Sequence, residues 1–459
     1  MRRSPIPPAS TLRLLTALFA LLTLVFAASI TAASPAFAQT AAAGTGAVQP
    51  AQDQMQADAS GANAQVYLIT VGQGSWIWEK FGHNAIWIRD EAAGIDVAWN
   101  WGIFAWGPGF IPNLIRGNMI YRMEGFDGVA MVNAYVRDNR TVWVQELNLT
   151  AAQKVELLAR TRENAREENK YYRYDYYRDN CSTRVRDMLD VVLGGALRRH
   201  LEGEATGKTY RWHTDRLTAD MPAEYTGLLL ALGPSTDRPI DAWEESFLPV
   251  KLMEHVRGIR VERDGGQVPL VMGETEVFTA TRPPERSVPP ERTLWYGLAG
   301  LLLGTALFAL GRTPGRAAGG TFYTLAIVWS LVIGIAGALI AGLWAFSEHT
   351  ITFHNENVLQ SNIASLVLVV ALILTAFGRA ERFAVMMAGL VVTLAMLGFV
   401  LQVLPLFDQP NGEMIALMLP AHAGLALGLR ARVTVTPPSF PAEPAEETER
   451  ARRRDRRRP

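Results

Sequence analysis

Residues 171–195 read YYRYDYYRDNCSTRVRDMLDVVLGG. Val185, Met188, Leu189 and Val192 recur at i, i+3, i+4 and i+7, one face of a helix, and Gly194-Gly195 stops it. Asp179 or Asn180 is the natural N-cap, which puts Cys181 in the first turn. There the unpaired backbone N–H groups and the positive end of the helix dipole favour a thiolate, and Arg184 one turn on adds to the effect. Cys181 is the only cysteine in 459 residues, so it has no intramolecular disulfide partner. A lone thiol of this kind is either a small buried hydrophobe or a nucleophile.

A nucleophilic thiol needs a base. Besides His83, the histidines within reach along the chain are His200, His213 and His255. His83 stands in WIWEKFGHNAIWI, where residues 75–81 read as a short helix closed by Gly82 and Ala85 to Ile88 as a strand that His83 opens. Ile95 to Trp101 alternates as the partner strand of a hairpin turned at Gly94, which brings Asn100 beside His83 to orient its ring. A core histidine satisfied by a backbone carbonyl is the alternative. His200, in LRRHLEG, reads as a helix-end or surface residue.

The chain around this segment has a membrane topology. Hydrophobic residues make up 49% and charged residues 19%, with a formal net charge of zero, so no global basic field suggests nucleic acid. Arg2, Arg3 and Arg13, the apolar stretch Leu14 to Ile30 and Ala36-Phe37-Ala38 form a signal peptide over 1–38, with an uncleaved first membrane helix as the alternative. Residues 39–63 are an Ala/Gly/Gln-rich linker. Five apolar runs follow at about 294–310, 322–346, 363–378, 384–404 and 413–429. Arg312 and Arg316, then Arg379 and Arg382, then Arg430, Arg432 and the tail RARRRDRRRP follow the first, third and fifth runs, while the loops after the second and fourth hold no Lys or Arg. The positive-inside rule then puts residues 64–280 outside the cytoplasmic membrane and the 431–459 tail in the cytoplasm. The Pro/Arg-rich 281–293 reads as a stalk between the outer domain and the 294–430 membrane domain.

Several stretches together resemble a known family: YLITVGQG at 67–74, FGHNAIW at 81–87, WNWGIF at 99–104, RGNMIY at 116–121, QELNLT at 145–150 and YDYYRDNCSTR at 174–184. In this order and on this topology they are similar to the Lnb N-terminal periplasmic domain, the lipoprotein intramolecular transacylase-like family. The likeness extends into the membrane domain through HTITFHNENVL at 349–359 and its paired asparagines. The long Arg/Pro/Glu-rich tail departs from the pattern. The resemblance implies an α+β papain-like fold of the permuted NlpC or lecithin-retinol acyltransferase type, followed by about five transmembrane helices. In such folds a histidine opening a strand precedes a cysteine at a helix start. The implied roles are Cys181 as nucleophile and His83 as general base and then acid, in acyl transfer on a lipoprotein or lipid ester without a cofactor.

Asn100 completes the expected catalytic set. Arg184, Tyr177, Arg116, His349, Asn355 and Asn357 are the expected substrate contacts, the last three in a loop, 347–362, on the side of the thiol. YYRYDYY reads as core or hairpin, or as a rim for a lipid headgroup. AWGPGFIPNLIRGNMIY at 105–121 reads as a lid dipping toward acyl chains, or as ordinary loop–helix packing. Helices are expected near 215–231 and 246–257 and short strands near 258–270, and no metal constellation or phosphate-cradling loop is visible. Two other functions fit the same residues: an NlpC-type cell-wall amidase or peptidase anchored to the membrane, and a non-enzymatic envelope scaffold with Cys181 buried. The membrane domain favours an acyl substrate, because exposing a chain to water costs about 0.8 kcal/mol per methylene.

Overall fold

The computed structural model describes residues 61–435 apart from 105, 106, 108 and 264. The signal peptide, nearly all of the linker and the tail beyond 435 lie outside the described residues. The N-terminal half runs β1 (Gln65–Val71), β2 (His83–Asp90), β3 (Ile95–Ile103), α1 (Phe110–Arg116), β4 (Ile120–Phe126), α2 (Gly128–Arg137), β5 (Val142–Leu147), α3 (Ala151–Asn164), β6 (Tyr171–Arg173) and α4 (Cys181–Val192). It continues through α5 (Ala196–Leu201), β7 (Ala205–Thr209), α6 (Tyr210–Leu217), α7 (Pro222–Ala231), β8 (Pro239–Asp241), α8 (Ala242–Glu245) and α9 (Pro249–Gly258). The strands β9 (Arg260–Arg263), β10 (Gly266–Pro269) and β11 (Val271–Phe278) complete the domain. The helix expected over 215–231 is two, because Pro222 cannot continue α6 and instead opens α7.

Seven strands form one antiparallel sheet in the order β11-β5-β1-β2-β3-β4-β6. Side-chain alternation gives it two apolar faces. Leu68, Ile86, Ile88, Val97, Trp99 and Met123 pack under Val185, Leu189 and Val192 of α4 and Leu157 and Leu158 of α3. Ile69, Ala85 and Ala98 pack on the opposite face against Met131, Val132 and Tyr135 of α2. The apolar face read from the 171–195 segment is therefore what seats α4 on the sheet. Asn180 caps α4: its side chain accepts from the Ser182 and Thr183 amides. Cys181 is thus the first residue of the helix.

The C-terminal half holds α10 (Thr293–Arg312), α11 (Arg316–Phe346), α12 (Ala364–Ala376), α13 (Glu381–Leu401) and α14 (Gly412–Val435). Four of them are long and apolar enough to cross a membrane, and α12, with 13 residues, is shorter. The first and last helices meet backbone to backbone. A Cβ on Gly300, Gly304 or Gly311 would strike α14, and one on Gly424 would strike the Gly304 carbonyl. This is the small-residue packing by which helices associate in lipid.

The 347–362 loop is not the solvated connection its polar composition suggests. Asn355, Glu356, Asn357, Gln360 and Ser361 are buried, and Ser361 Oγ donates to the Ile333 carbonyl of α11 at 3.0 Å. Ile333 lies 13 residues before Phe346, roughly 20 Å along the helix at 1.5 Å per residue. The loop therefore re-enters beside α11 and shortens α12. Irregular backbone at that depth is tolerable because protein surrounds it. The expected stalk is also fixed in place: Arg282 donates to the Asp138 and Asn139 carbonyls and Arg216 pairs with Glu285 at 3.0 Å. Arg292 is held by the Ala219 carbonyl and Glu413 of α14.

Candidate functional site

Cys181 is buried, 9% exposed, where the start of α4 meets the ends of β2 and β3. Burial is the largest influence on its thiol and pushes the pKa up; the backbone N–H groups of Asn84, Ser182 and Cys181 itself and the Arg140 charge pull it back only in part. The thiolate expected from the helix dipole is thus outweighed by desolvation. Arg184 does not serve the thiol. Its guanidinium is bound by Asp179, with Nη2 2.6 Å from Oδ2, and lies 4.2 Å over the Tyr172 ring. It lines a cleft of about 400 Å³ with Trp101, Asn164 and Met188.

His83 opens β2, and the β2–β3 register sets Ala85 opposite Asn100. His83 Nε2 lies 2.8 Å from Asn100 Oδ1. The amide orientation follows from its other end, where Nδ2 donates to the Ala98 carbonyl at 2.9 Å, so Oδ1 must face the ring. An oxygen there requires the proton on Nε2 and leaves Nδ1 as the basic nitrogen. Burial lowers the His83 pKa to about 4, opposed by the Asn100 bond and reinforced by Arg140. At neutral pH the ring is an uncharged acceptor.

The two groups approach Asn84 from different sides. Alternation along β2 sets His83 with Ala85 on the α2 face, its ring 6.0 Å from that of Tyr135, while Cys181 belongs to the α4 face. No hydrogen bond joins ring and thiol. Their common neighbours are the Asn84 backbone, Tyr135 and Arg140. Ser182 Oγ lies 2.8 Å from Asn84 Oδ1 and 2.7 Å from the Ser246 carbonyl, its one proton shared between them. This contact fixes the residue after the histidine to the residue after the cysteine. Gly102, at φ +90°, packs directly beside the thiol: a Cβ there would sit 3.5 Å from Cys181 Cβ and 3.9 Å from Tyr172 Oη, in van der Waals contact with both. The buried Tyr172 hydroxyl has no hydrogen-bond partner among the described residues.

Arg140 and Tyr172 were not singled out by sequence. Arg140 lies beyond α2, far along the chain from His83 and Cys181, and the Tyr172 position depends on β6 pairing with β4. Arg140 is fixed by two bonds to the Gly72 carbonyl, at 3.0 and 2.9 Å, and lies 5.1 Å over the Tyr135 ring.

The remaining expected contacts are structural or peripheral. Tyr177, expected on substrate, is buried among Tyr210 and Phe247, with its hydroxyl 2.8 Å from Thr214 Oγ1. Asn355 and Asn357 are buried, and their amides donate to the last carbonyls of α7: Asn355 to Leu230 and Ala231 at 2.7 and 2.9 Å, Asn357 to Leu229 at 3.0 Å. These bonds cap the carbonyl end of α7. His349 Nε2 lies 2.5 Å from the Leu114 carbonyl, and the Arg116 carbonyl accepts from the Glu348 amide at 2.8 Å. The exposed Arg116 side chain stands at the end of α1. His213 and His255 share the Glu245 carboxylate, each at 3.0 Å, in a cluster of their own, and His200 bonds the Ala196 carbonyl. Among the described residues, no group of three metal-ligating side chains could hold an ion.

An α+β domain carrying Cys181 and His83, joined to a bundle of apolar helices, fits a membrane-anchored protein with an extracytoplasmic domain. The Lnb N-terminal periplasmic domain matches residues 51–216 and the Lnb transmembrane domain matches 295–421. Together they cover well over half of the chain, which belongs to the Lnb family. No curated protein and no solved structure matches it significantly.

Proposed function

We propose that the protein is a cysteine-dependent acyltransferase acting on lipid or lipoprotein acyl esters at the outer face of the cytoplasmic membrane, on a permuted papain-like domain. The observation that carries this reading is the convergence on Cys181 of three backbone N–H groups, from Asn84, Ser182 and Cys181, one residue from the Asn100-oriented His83. Those amides suit an anion on sulfur or on a carbonyl oxygen bound beside it. The Tyr172 hydroxyl is a further donor for that oxygen, and Arg184 over its ring is a positioning residue.

In the first half-reaction His83 Nδ1 takes the thiol proton and sulfur attacks the ester carbonyl carbon. The C–O bond breaks, the proton passes from His83 to the leaving alcohol, and a thioester remains on Cys181. In the second, an amine attacks the thioester, the C–S bond breaks, and the thiol is restored as the amide forms. The mechanism requires His83 Nδ1 and Cys181 Sγ to come within hydrogen-bond reach in the substrate complex.

The test uses the full chain in phospholipid vesicles with a diacylated lipopeptide, read by mass spectrometry of the Cys181 peptide and of the lipopeptide N-terminus. A hydroxylamine-sensitive acyl group on Cys181 and an N-acylated product are expected. Undiminished N-acylation by Cys181→Ala, or cleavage of muropeptides with no acyl transfer, overturns the reading.

A further inference from the structure

An unbroken line of aromatic rings runs from the thiol toward the membrane domain. Cys181 Cβ and Tyr174 Cε2 lie 3.5 and 3.8 Å from the position of a Cβ on Gly102. The Tyr174 ring stacks on Tyr121 with centroids 4.2 Å apart, Tyr121 on Phe104 at 5.1 Å, and Phe104 on Phe110 at 5.7 Å. Phe110 opens α1. A cavity of about 170 Å³ lies at the α1 end of this line, walled by Phe110, Met119, Ile120 and Tyr121 and also by the polar Asn113 and Asn118.

The far end of the line meets the membrane domain. Arg116 and Leu114 of α1 bond the backbone and ring of Glu348 and His349, the residues just after α11. Gly117, at φ +77°, lets this contact form, since a Cβ there would sit 2.9 Å from the His349 amide nitrogen. Phe346, the last residue of α11, is 87% exposed. Ile111 and Ile115, four residues apart on one side of α1, are also exposed. In a protein of this topology the apolar surface of α11 faces lipid, and α1 carries that surface onto the catalytic domain.

We infer that α1 and the Phe110–Phe104–Tyr121–Tyr174 line form an acyl-chain path, by which one chain of an outer-leaflet lipid ester reaches Cys181 without crossing water. The inference rests on the acyltransferase reading and adds where the chain lies. The edges of these stacked rings suit a long saturated chain because they offer continuous apolar area along its length, whereas a short ester gains nothing from the distal rings.

The experiment uses the full chain in phosphatidylethanolamine vesicles. Cys181 acylation is compared for esters with sixteen-carbon and four-carbon acyl groups in the wild type, Phe110→Ala, Tyr121→Ala and Tyr121→Phe. The wild type favours the long chain; both alanine variants lower the long-to-short ratio by about tenfold or more, and Tyr121→Phe restores it. In parallel, a phosphatidylethanolamine with a diazirine at the end of one acyl chain should crosslink to residues 110–121 on irradiation. An unchanged ratio with crosslinks elsewhere refutes the path while leaving the acyltransferase intact. If no ester of either length acylates Cys181, the functional reading fails and the path with it.

Discussion

Replacing Asn355 and Asn357 separates a structural role from a substrate role. The two amides supply the hydrogen bonds that end α7, and Asn357→Ala leaves the Leu229 carbonyl without a partner while Asn355→Ala does the same to Ala231. The double variant also orphans the Leu230 carbonyl, which the two asparagines share. A carbonyl stripped of its partner away from water costs about 1–3 kcal/mol, so each single change costs about 1–3 and the pair, with three carbonyls orphaned, about 3–9 kcal/mol. At about 2–4 °C per kcal/mol, the double variant should melt on the order of 10 °C below the wild type. The assay is thermal unfolding in detergent beside acyl transfer measured below the melting range. Transfer per folded molecule should be nearly unchanged. A double variant that melts with the wild type but loses transfer refutes the capping argument and returns the asparagines to the substrate.

Four further outcomes follow from the site. Iodoacetamide labelling of Cys181 should rise with pH to a midpoint above the ~8.5 of a free thiol, because burial dominates; fast labelling at pH 6 would mean that the amides and Arg140 win instead. Asn100→Leu removes the acceptor that holds the His83 proton on Nε2, so kcat should fall about 10–100-fold with little change in KM; an equal loss in KM alone would contradict the tautomer assignment. The folded His83 pKa of about 4 lies below the unfolded 6.5, so its contribution to stability is complete above pH 6.5 and lost as pH falls through 4. Between those limits His83→Gln should lose less stability than the wild type, and parallel curves would argue against a buried neutral ring. Tyr172→Phe should lower turnover about tenfold while leaving the melting temperature in place, since the hydroxyl has no hydrogen-bond partner to lose among the described residues.

What was legible in the sequence was local. The i, i+3, i+4, i+7 apolar face and the Asx cap fixed α4 and the position of Cys181 within it, and the hairpin at Gly94 set Asn100 beside His83. The thiol's ionisation is not legible in the sequence, because helix position is written there whereas desolvation depends on what packs above: the sheet ends, Tyr172 and Tyr174. Arg140 reaches the site through a bond to Gly72, 68 residues away, and no spacing rule anticipates that. Asn355 and Asn357 look like a polar loop on a hydropathy plot. Their burial follows from the unfinished carbonyl end of α7, 125 residues earlier for the Asn355–Leu230 bond, which only the assembled molecule brings to them.

That separation has a consequence for biogenesis. A chain exported from its N-terminus delivers Leu229, Leu230 and Ala231 across the membrane before α10 and α11 have been made. Until the 347–362 loop arrives, the end of α7 must be solvated by water or shielded by another protein. The outer domain therefore completes its fold only after insertion of the first two membrane helices, and a secreted fragment ending near residue 280 would carry an unfinished surface wherever it went.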